Sequence, residues 1–318
     1  MGSEIRLIVG APGPDGVDPL DAVADATTFI EEFEQCLSRF RPDSELCALN
    51  SDIGDVVPAS PLLRDAVAAG IDAAESTDGL VDPTLVDEIE DAGYAESREG
   101  IVPANLRSAL MMAPERKPAR PDPARRWAMI EVDGDAGVIR RPRGVRFDSG
   151  GIGKGLAADV LAGRLAGQTR FLVCCGGDIR AGGTDGGRQE VLVEHPLTGE
   201  RDQRLYMERG AVATSGINVR LWRRHDGRYG HHLIDPRTGE PAWTGLVGAT
   251  ALAPTGVVAE TTAKAALLSG PDRARRILSE HGGVLFHEDG EAEAVGPIEL
   301  KPNLTVRISA AALKGMAA

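Results

Sequence analysis

A glycine-rich loop with a single lysine is the part of this sequence whose residue types most directly indicate chemistry. Residues 147–155 read Phe-Asp-Ser-Gly-Gly-Ile-Gly-Lys-Gly and lead into a helical run at 156–162. Glycines let a backbone pass close to a ligand, a helix start offers unpaired N–H groups, and Lys154 adds a full positive charge. The Walker A spacing and the dinucleotide-binding pattern are both absent. The loop therefore indicates a phosphate site, although a strand-to-helix turn without a ligand has the same composition.

Two further clusters carry groups that could contact a nucleotide. Residues 175–180 place a glycine pair that includes Gly177 directly before Asp178, and a bare backbone beside a carboxylate suits sugar hydroxyls. Residues 214–216 read Thr-Ser-Gly, and the Ser215 hydroxyl and flexible backbone could donate to phosphate. Both clusters are also ordinary turn chemistry. A structural and a ligand-binding interpretation therefore stay open for each.

Two adjacent histidines, His231 and His232, stand in the stretch 229–239. On a strand, successive side chains point to opposite faces, so at most one of the two can face a given site. The Asp-Pro-Arg-Thr-Gly sequence that begins at Asp235 is good turn chemistry by itself. A structural role is therefore the default interpretation of that part of the stretch.

Composition limits the classes of partner. With 318 residues, of which 42% are hydrophobic, the chain is long enough for one large or two small domains with a substantial core. The net charge of −13 leaves no general basic surface, which argues against nucleic acid and anionic membranes as partners.

Cysteine usage and hydropathy predict a location. The four cysteines include the adjacent pair Cys174-Cys175 and have no Cys-x-x-Cys spacing, so neither a disulfide framework nor a structural zinc is indicated. No stretch approaches 18 apolar residues, and the amino terminus has no export signal. We therefore expect a cytoplasmic protein without a membrane span, unless a leader has been removed.

The sequence also predicts the elements that hold these motifs. Residues 5–9 form a strand pattern, and Ser60 with Pro61 marks the start of a helix. A hairpin is predicted from residues 127–132 and 138–140. An earlier amphipathic helix is predicted from apolar residues spaced by three and four: Val23, Ala26, Ile30, Phe33, Leu37 and Phe40.

Short strands dominate the second half of the chain. Helices interrupt them near 257–268 and 272–281, a hairpin turns at about 288–290, and a last strand is predicted near 304–308. The Pro-rich run 114–123 is a loop inside the fold or a seam between lobes. Strands and helices that interleave without a strict βαβ period predict a mixed α/β fold.

Taken in chain order, the motifs resemble the ApbE-type FAD:protein FMN transferase family. The resemblance covers nearly the whole chain, and its specificity lies in the order of pieces that are individually weak. These pieces are Met1-Gly2-Ser3, residues 38–50, residues 77–84 with Gly93-Tyr94, the glycine-lysine loop, Gly176-Gly177-Asp178, Thr214-Ser215-Gly216, residues 231–239 and Ala259-Glu260.

The resemblance implies a single domain over 1–318, related to the tunnelling folds, with FAD held between lobes. FMN would pass from FAD to a threonine or serine hydroxyl of a target flavoprotein, and AMP would be released. Phe40 occupies the position of a tyrosine that stacks on the flavin in the family, and it keeps the aromatic face. The candidate FAD-binding residues are Met1, Phe40, Leu80, Val81, Asp82, Asp148, Lys154, Gly177, Asp178, Ser215 and Ile234.

Transfer of a phosphoryl group needs charge neutralisation at the phosphate and a base beside the acceptor hydroxyl. Lys154 would supply the first. His232, which matches a histidine important for transfer in the family, or Asp235 would supply the second.

The chain departs from the family at the metal site. The resemblance implies a divalent cation, usually magnesium, held by the Gly151 carbonyl and by an Asp and a Thr four residues apart on the late helix. This chain has Glu260 and Lys264 there. An ammonium is no metal ligand, and residues at i and i+4 form helical ion pairs. Either Lys264 stands in for the charge of the cation, or the site is impaired.

Three functions therefore compete. The first is an active flavin transferase, the second is an FAD pyrophosphatase that yields FMN and AMP, and the third is a flavin-binding protein without chemistry.

Overall fold

A seven-stranded antiparallel sheet forms the frame of the protein in a computed structural model, which describes residues 3–185, 187–201 and 203–298. Across the sheet the strands follow the order Ile5–Val9, Phe171–Cys175, Asp178–Gly182, Gly210–Gly216, Leu246–Ala253, Gly283–His287 and Ala292–Val295. The strands are β1 (Ile5–Val9), β2 (Val56–Pro58), β3 (Glu131–Asp133), β4 (Val138–Arg140), β5 (Phe171–Cys175), β6 (Asp178–Gly182), β7 (Gln189–Val193), β8 (Gln203–Met207), β9 (Gly210–Gly216), β10 (Leu221–Arg223), β11 (Tyr229–His231), β12 (Leu246–Ala253), β13 (Gly283–His287) and β14 (Ala292–Val295).

Helices pack beside this sheet, and α6 and α7 contact both its strands and each other. Their bounds are α1 (Pro19–Leu37), α2 (Glu45–Ser51), α3 (Pro61–Ser76), α4 (Val86–Asp91), α5 (Leu106–Met112), α6 (Gly153–Arg164), α7 (Gly256–Ser269) and α8 (Pro271–Leu278). The predicted mixed α/β fold is confirmed. No helix of the described ranges is long and apolar enough to cross a membrane.

Local signals explain where several elements begin. The Ser60 side chain accepts the Leu63 N–H and Pro61 opens α3, as the sequence predicts. The predicted hairpin over β3 and β4 is confirmed, although Arg126–Met129 form a 3₁₀ turn rather than the start of the strand. The predicted turn between β13 and β14 is also confirmed.

The first helix differs from its prediction in both extent and face. It ends at Leu37, so Phe40 lies beyond it, and Val23 is 39% exposed. Ala26, Phe33 and Leu37 are buried as predicted, but the buried stripe also includes Ala22, Phe29 and Cys36. The apolar spacing fits both stripes, and tertiary packing selected the one that also buries Phe29. The strand predicted near 304–308 lies outside the described residues.

Two large hydrophobic cores share the sheet. One is formed mainly by α1, α3, α6, β1 and β5, and the other by β12, β13, α7, α8 and the β7–β8 hairpin. The Pro-rich run is tied to the second core, because the Lys117 N–H donates to the Trp243 carbonyl and the Ala119 N–H to the Leu268 carbonyl. Ala119 is buried there.

Candidate active site

A cavity of about 310 Å³ is lined by members of both cores, including Leu37 from one and Leu268 from the other. It gathers most of the residues that the sequence singled out. These are Phe40, Leu80, Val81, Asp82, Asp148, Gly151, Lys154, Ser215, His232, Ile234 and Lys264.

Four candidate residues are placed differently. Asp178 and Glu260 are buried and do not line the cavity, although both contact Lys154, which does. Gly177 is exposed in the turn between β5 and β6, and it is the neighbouring Gly176 that lines the cavity. Asp235 does not line it either, because its carboxylate accepts the backbone N–H groups of Arg120 and Arg237 and so fixes a turn. Met1 lies outside the described residues.

The glycine-lysine loop forms the rim of the cavity and the start of α6. Asp148 caps a short 3₁₀ turn by accepting the Gly150 N–H at 3.0 Å. The helix then begins at Gly153 without a side-chain cap. Gly155 is needed for close packing, since a Cβ atom there would lie 2.4 Å from the Gly256 carbonyl oxygen at the start of α7. The loop therefore brings the amino-terminal ends of α6 and α7 together.

Asp178 owes its position to a tight turn. Cys175 pairs with Asp178 across the β5–β6 hairpin, and only Gly176 and Gly177 lie between them. Both glycines have positive φ, as a two-residue turn that follows the twist of the strands requires. The glycine pair thus has a backbone role, and it places the Asp178 carboxylate under Lys154.

Below the cavity, Lys154, Asp178, Glu260 and Lys264 form what we call the charge cluster. The Lys154 ammonium hydrogen-bonds Asp178 and lies 3.5 Å from Glu260 Oε1. Lys264 Nζ donates to the same Glu260 oxygen at 2.7 Å. The carboxylates are almost fully buried, with side chains 3% and 1% exposed, whereas both lysines line the cavity. The cluster therefore presents positive charge to the cavity above buried negative charge.

Burial and the opposite charges within the charge cluster both shift the pKa values of its members. Burial alone would lower the pKa of Lys154, but the carboxylates of Asp178 and Glu260 raise it above its ordinary value. Burial alone would raise the pKa of Glu260, yet Lys264 and Lys154 hold it below its ordinary value. Burial raises the pKa of Asp178, which Lys154 only partly offsets. Lys154 therefore remains an ammonium at neutral pH.

The donor set does not fit a divalent cation. Glu260 Oε1 accepts from Lys264, and Oε2 accepts the Gly155 N–H at 2.8 Å, so both oxygens already have partners. Within the described ranges, no group of three His, Cys, Asp or Glu side chains could hold a metal ion. Divalent cations such as Mg²⁺ prefer oxygen ligands, and an ammonium offers none. The Gly151 carbonyl alone would not make a site.

The two histidines have different surroundings, and β11 ends at the first of them, His231. His231 is buried edge-on against Trp243, with ring centroids 4.8 Å apart. His232 lines the cavity, and its ring is hydrogen-bonded to the Arg220 backbone. Its Nδ1 atom is buried without a hydrogen-bond partner among the described residues. His232 therefore offers a free ring nitrogen beside the two lysines.

Burial lowers the pKa of His231 and His232 to about 3 in each case, and for His232 the nearby Lys264 and Lys154 add to the effect. Both rings are therefore neutral at physiological pH.

We expect this to make the fold sensitive to mild acid. The unfolded chain binds these protons from about pH 6.5 downward, whereas the folded chain does not bind them until about pH 3. The stability that the neutral rings contribute is complete above pH 6.5 and is lost as pH falls. Each histidine should lower the free energy of unfolding by up to about 1.4 kcal/mol per pH unit.

Urea unfolding between about pH 7 and about pH 4.5 would measure this slope. In a His231→Phe variant the free energy of unfolding should change less steeply with pH, by the contribution of one histidine. His225→Asn, at an exposed histidine, serves as the control and should keep the wild-type slope. Equal slopes in all three proteins would contradict the assignment.

One wall of the cavity is aromatic and includes Arg39 and Tyr94, which belong to the motifs of the family resemblance but were not predicted as site residues. Phe40 is 36% exposed and its ring centroid lies 5.3 Å from that of Tyr94. The Arg39 guanidinium lies over both rings, 4.5 Å from the Phe40 centroid and 5.2 Å from the Tyr94 centroid. Arg39 also approaches Asp148 at 3.6 Å. The available signal was proximity in sequence, since Arg39 adjoins Phe40.

Asp82 provides an acceptor on the same cavity. Its Oδ1 atom accepts from the Thr84 N–H and hydroxyl at 2.8 Å and 2.6 Å. Its Oδ2 atom is buried with no partner among the residues that the structure describes. Burial raises the pKa of Asp82. The residue is therefore oriented by Thr84 and keeps one oxygen for a ligand.

Known proteins match this chain along most of its length. The ApbE family model matches residues 1–286. The FAD:protein FMN transferase of Escherichia coli strain K12 is 25% identical over 283 residues, which cover 86% of this chain and 78% of that protein. The FAD:protein FMN transferase of Treponema pallidum is 28% identical over 279 residues, covering 83% and 75%.

Solved structures share the fold. The ApbE protein of Thermotoga maritima superposes with a TM-score of 0.75 at 24% identity, covering 92% of this chain and 94% of that one. The flavin transferase ApbE of Vibrio cholerae gives a TM-score of 0.67 at 21% identity, covering 92% and 97%. With a family match over nine-tenths of the sequence and this common fold, the chain belongs to the ApbE family.

Proposed function

We propose that this protein is an FAD:protein FMN transferase, which moves FMN from FAD to a serine or threonine hydroxyl of a target flavoprotein and releases AMP. The observation that carries the proposal is the juxtaposition of Lys154 and Lys264 with the neutral His232 in one cavity. Family membership supports it, since relatives that match most of the chain bear that name.

The charge of the cavity suits a pyrophosphate. Among the described residues, its lining includes two carboxylates, Asp82 and Asp148, and four basic side chains, Arg39, Lys154, Arg220 and Lys264. The start of α6 adds backbone N–H groups of the kind that bind phosphate oxygens. We place the diphosphate of FAD over the charge cluster, where the ammonium groups would neutralise charge that develops as the bond to AMP breaks.

The reaction balances with the residues present. The acceptor hydroxyl oxygen attacks the phosphorus of the FMN half, a new P–O bond forms, and the P–O bond to AMP breaks. The hydroxyl proton passes to the unpartnered Nδ1 of His232, and AMP leaves with the bond electrons. The negative phosphates would raise the pKa of His232 from its low value in the free protein, so the base becomes effective when FAD is bound.

The flavin half fits the aromatic wall. Phe40 offers a partly exposed ring face for stacking, and Arg39 and Tyr94 hold it in place. Asp82 could accept an N–H or hydroxyl group of the flavin through its unpartnered oxygen. We also propose a reducing compartment such as the cytoplasm, a proposal supported by four cysteines that are all free thiols.

Product analysis tests the proposal and separates it from its alternatives. The protein is incubated with FAD, with and without a candidate acceptor flavoprotein, and AMP is quantified while the acceptor is weighed by intact mass spectrometry. AMP release coupled to an FMN adduct on the acceptor supports a transferase. AMP release with free FMN and no adduct indicates a pyrophosphatase, and FAD binding without AMP indicates a binding protein.

Phe40→Ala is expected to weaken FAD binding by about 1–3 kcal/mol, the size of a stacking contact between a base and an aromatic ring. Fluorescence titration of FAD would measure the loss. Ile53→Ala, at a residue that is 86% exposed and does not line the cavity, should leave the affinity unchanged. Wild-type affinity in Phe40→Ala would show that the ring only packs against Tyr94.

A further inference from the structure

Lys264 stands where the resemblance to the ApbE family implies a metal ligand. Its side chain forms an ion pair with Glu260 instead. Its side chain is 9% exposed, lines the cavity and donates to Glu260 Oε1. The second Glu260 oxygen is engaged by the Gly155 N–H. Every oxygen that Glu260 could give to a cation is thus already paired.

The charge balance of the cluster points the same way. Two ammonium groups face two buried carboxylates, so the cluster is neutral as it stands. A divalent cation placed there would meet Lys154 and Lys264 at close range and find no carboxylate without a partner. A cation in that position would have to displace the Lys264 ammonium from Glu260.

We propose that the Lys264 ammonium takes the place of the divalent cation, so that this protein binds and cleaves FAD without a metal. The inference rests on the proposed function for its substrate, and it concerns which charge holds the diphosphate. Lys264 supplies one fixed positive charge through a covalently attached group, and Glu260 orients it. Lys154 supplies the second charge, and its ammonium lies 3.5 Å from the same Glu260 oxygen that Lys264 contacts.

Affinity for FAD provides a readout that does not depend on turnover. The wild-type full-length protein should bind FAD equally well in EDTA and in millimolar Mg²⁺, and calorimetry with MgCl₂ alone should give no binding heat. Lys264→Met should weaken FAD binding roughly tenfold to a hundredfold in both buffers, the scale of one charge-assisted hydrogen bond. Lys117→Met, which removes an exposed lysine paired with Glu115, is the matched control and should bind as wild type.

Two more variants keep the test decisive. Lys264→Thr restores an oxygen ligand beside Glu260, and its FAD affinity should become dependent on Mg²⁺. The double variant Glu260→Gln/Lys264→Met removes the buried negative charge together with the positive charge that pairs with it, so it should fold. Its FAD affinity should still be lower than that of the wild type. Wild-type affinity in that double variant would overturn the role of Lys264.

The outcomes separate this inference from the proposed function. FAD binding that strengthens tenfold or more with Mg²⁺ in the wild type, or AMP release that stops in EDTA, would overturn the inference and leave the transferase intact. Metal-independent binding of FAD that requires Lys264, with no AMP released and no FMN transferred in the presence of acceptor, would support the inference for binding and contradict the transferase.

Discussion

Lys154→Met is expected to lower the rate of AMP release by roughly 10²–10³-fold, because it removes a fixed positive charge from the place where the leaving phosphate develops negative charge. It should also lower the free energy of unfolding by about 3–5 kcal/mol, since it leaves Asp178 buried without its cation. Product assays at saturating FAD and urea unfolding would measure the two effects separately.

A double-mutant cycle distinguishes the two roles of this lysine. Adding Asp178→Asn to Lys154→Met should recover much of the lost stability, because the buried negative charge is gone, but should not recover activity. Full activity in a folded Lys154→Met protein would show that the phosphates bind elsewhere. Recovery of activity together with stability would mean that Lys154 acts only through the fold.

His232→Ala is expected to lower FMN transfer by a factor of roughly 10²–10⁴ while FAD affinity stays near the wild-type value, because a base acts on the acceptor proton rather than on the bound flavin. The measurement is single-turnover AMP release alongside an FAD titration. The same substitution at His231 should preserve the rate in the folded protein, since that ring packs against Trp243 away from the cavity. The opposite pattern would assign the base to His231.

The pH dependence of the wild type checks the same assignment. In the free protein the pKa of His232 is about 3, and bound phosphates should raise it. The acid limb of kcat, which reports the FAD complex, should therefore lie at a higher pH than the acid limb of kcat/KM, which reports the free enzyme. His232→Ala should remove that limb.

Local signals in the sequence were sufficient where a single residue type dictates the backbone. Ser60 and Pro61 fix the start of α3, and the turn that was one of two interpretations of the glycine pair before Asp178 is present as a hairpin turn. The alternation of His231 and His232 predicted that at most one of the two lines the cavity, and of this pair only His232 does. These predictions held because each depends on neighbours in the chain.

The rest depended on contacts between distant segments. Arg39 lies at the site because the loop after α1 contacts Tyr94 and Asp148. No spacing in the sequence predicts those contacts. The sequence favours Asp235 as a possible base because it does not show that the Arg120 N–H, 115 residues away, donates to this carboxylate. The interpretation of Lys264 required the knowledge that Gly155 occupies the other oxygen of Glu260.

The residues of the charge cluster are far apart in the sequence, so the ribosome adds them to the chain at different times. Lys154 and Asp178 lie 24 residues apart, but Glu260 meets Gly155 across 105 residues. At a synthesis rate of about 5–20 residues per second, Gly155 at the start of α6 is added roughly 5–20 s before Glu260. Lys154 and Asp178 are therefore both synthesised before Glu260, and the charge cluster can be completed only after α7 has been synthesised.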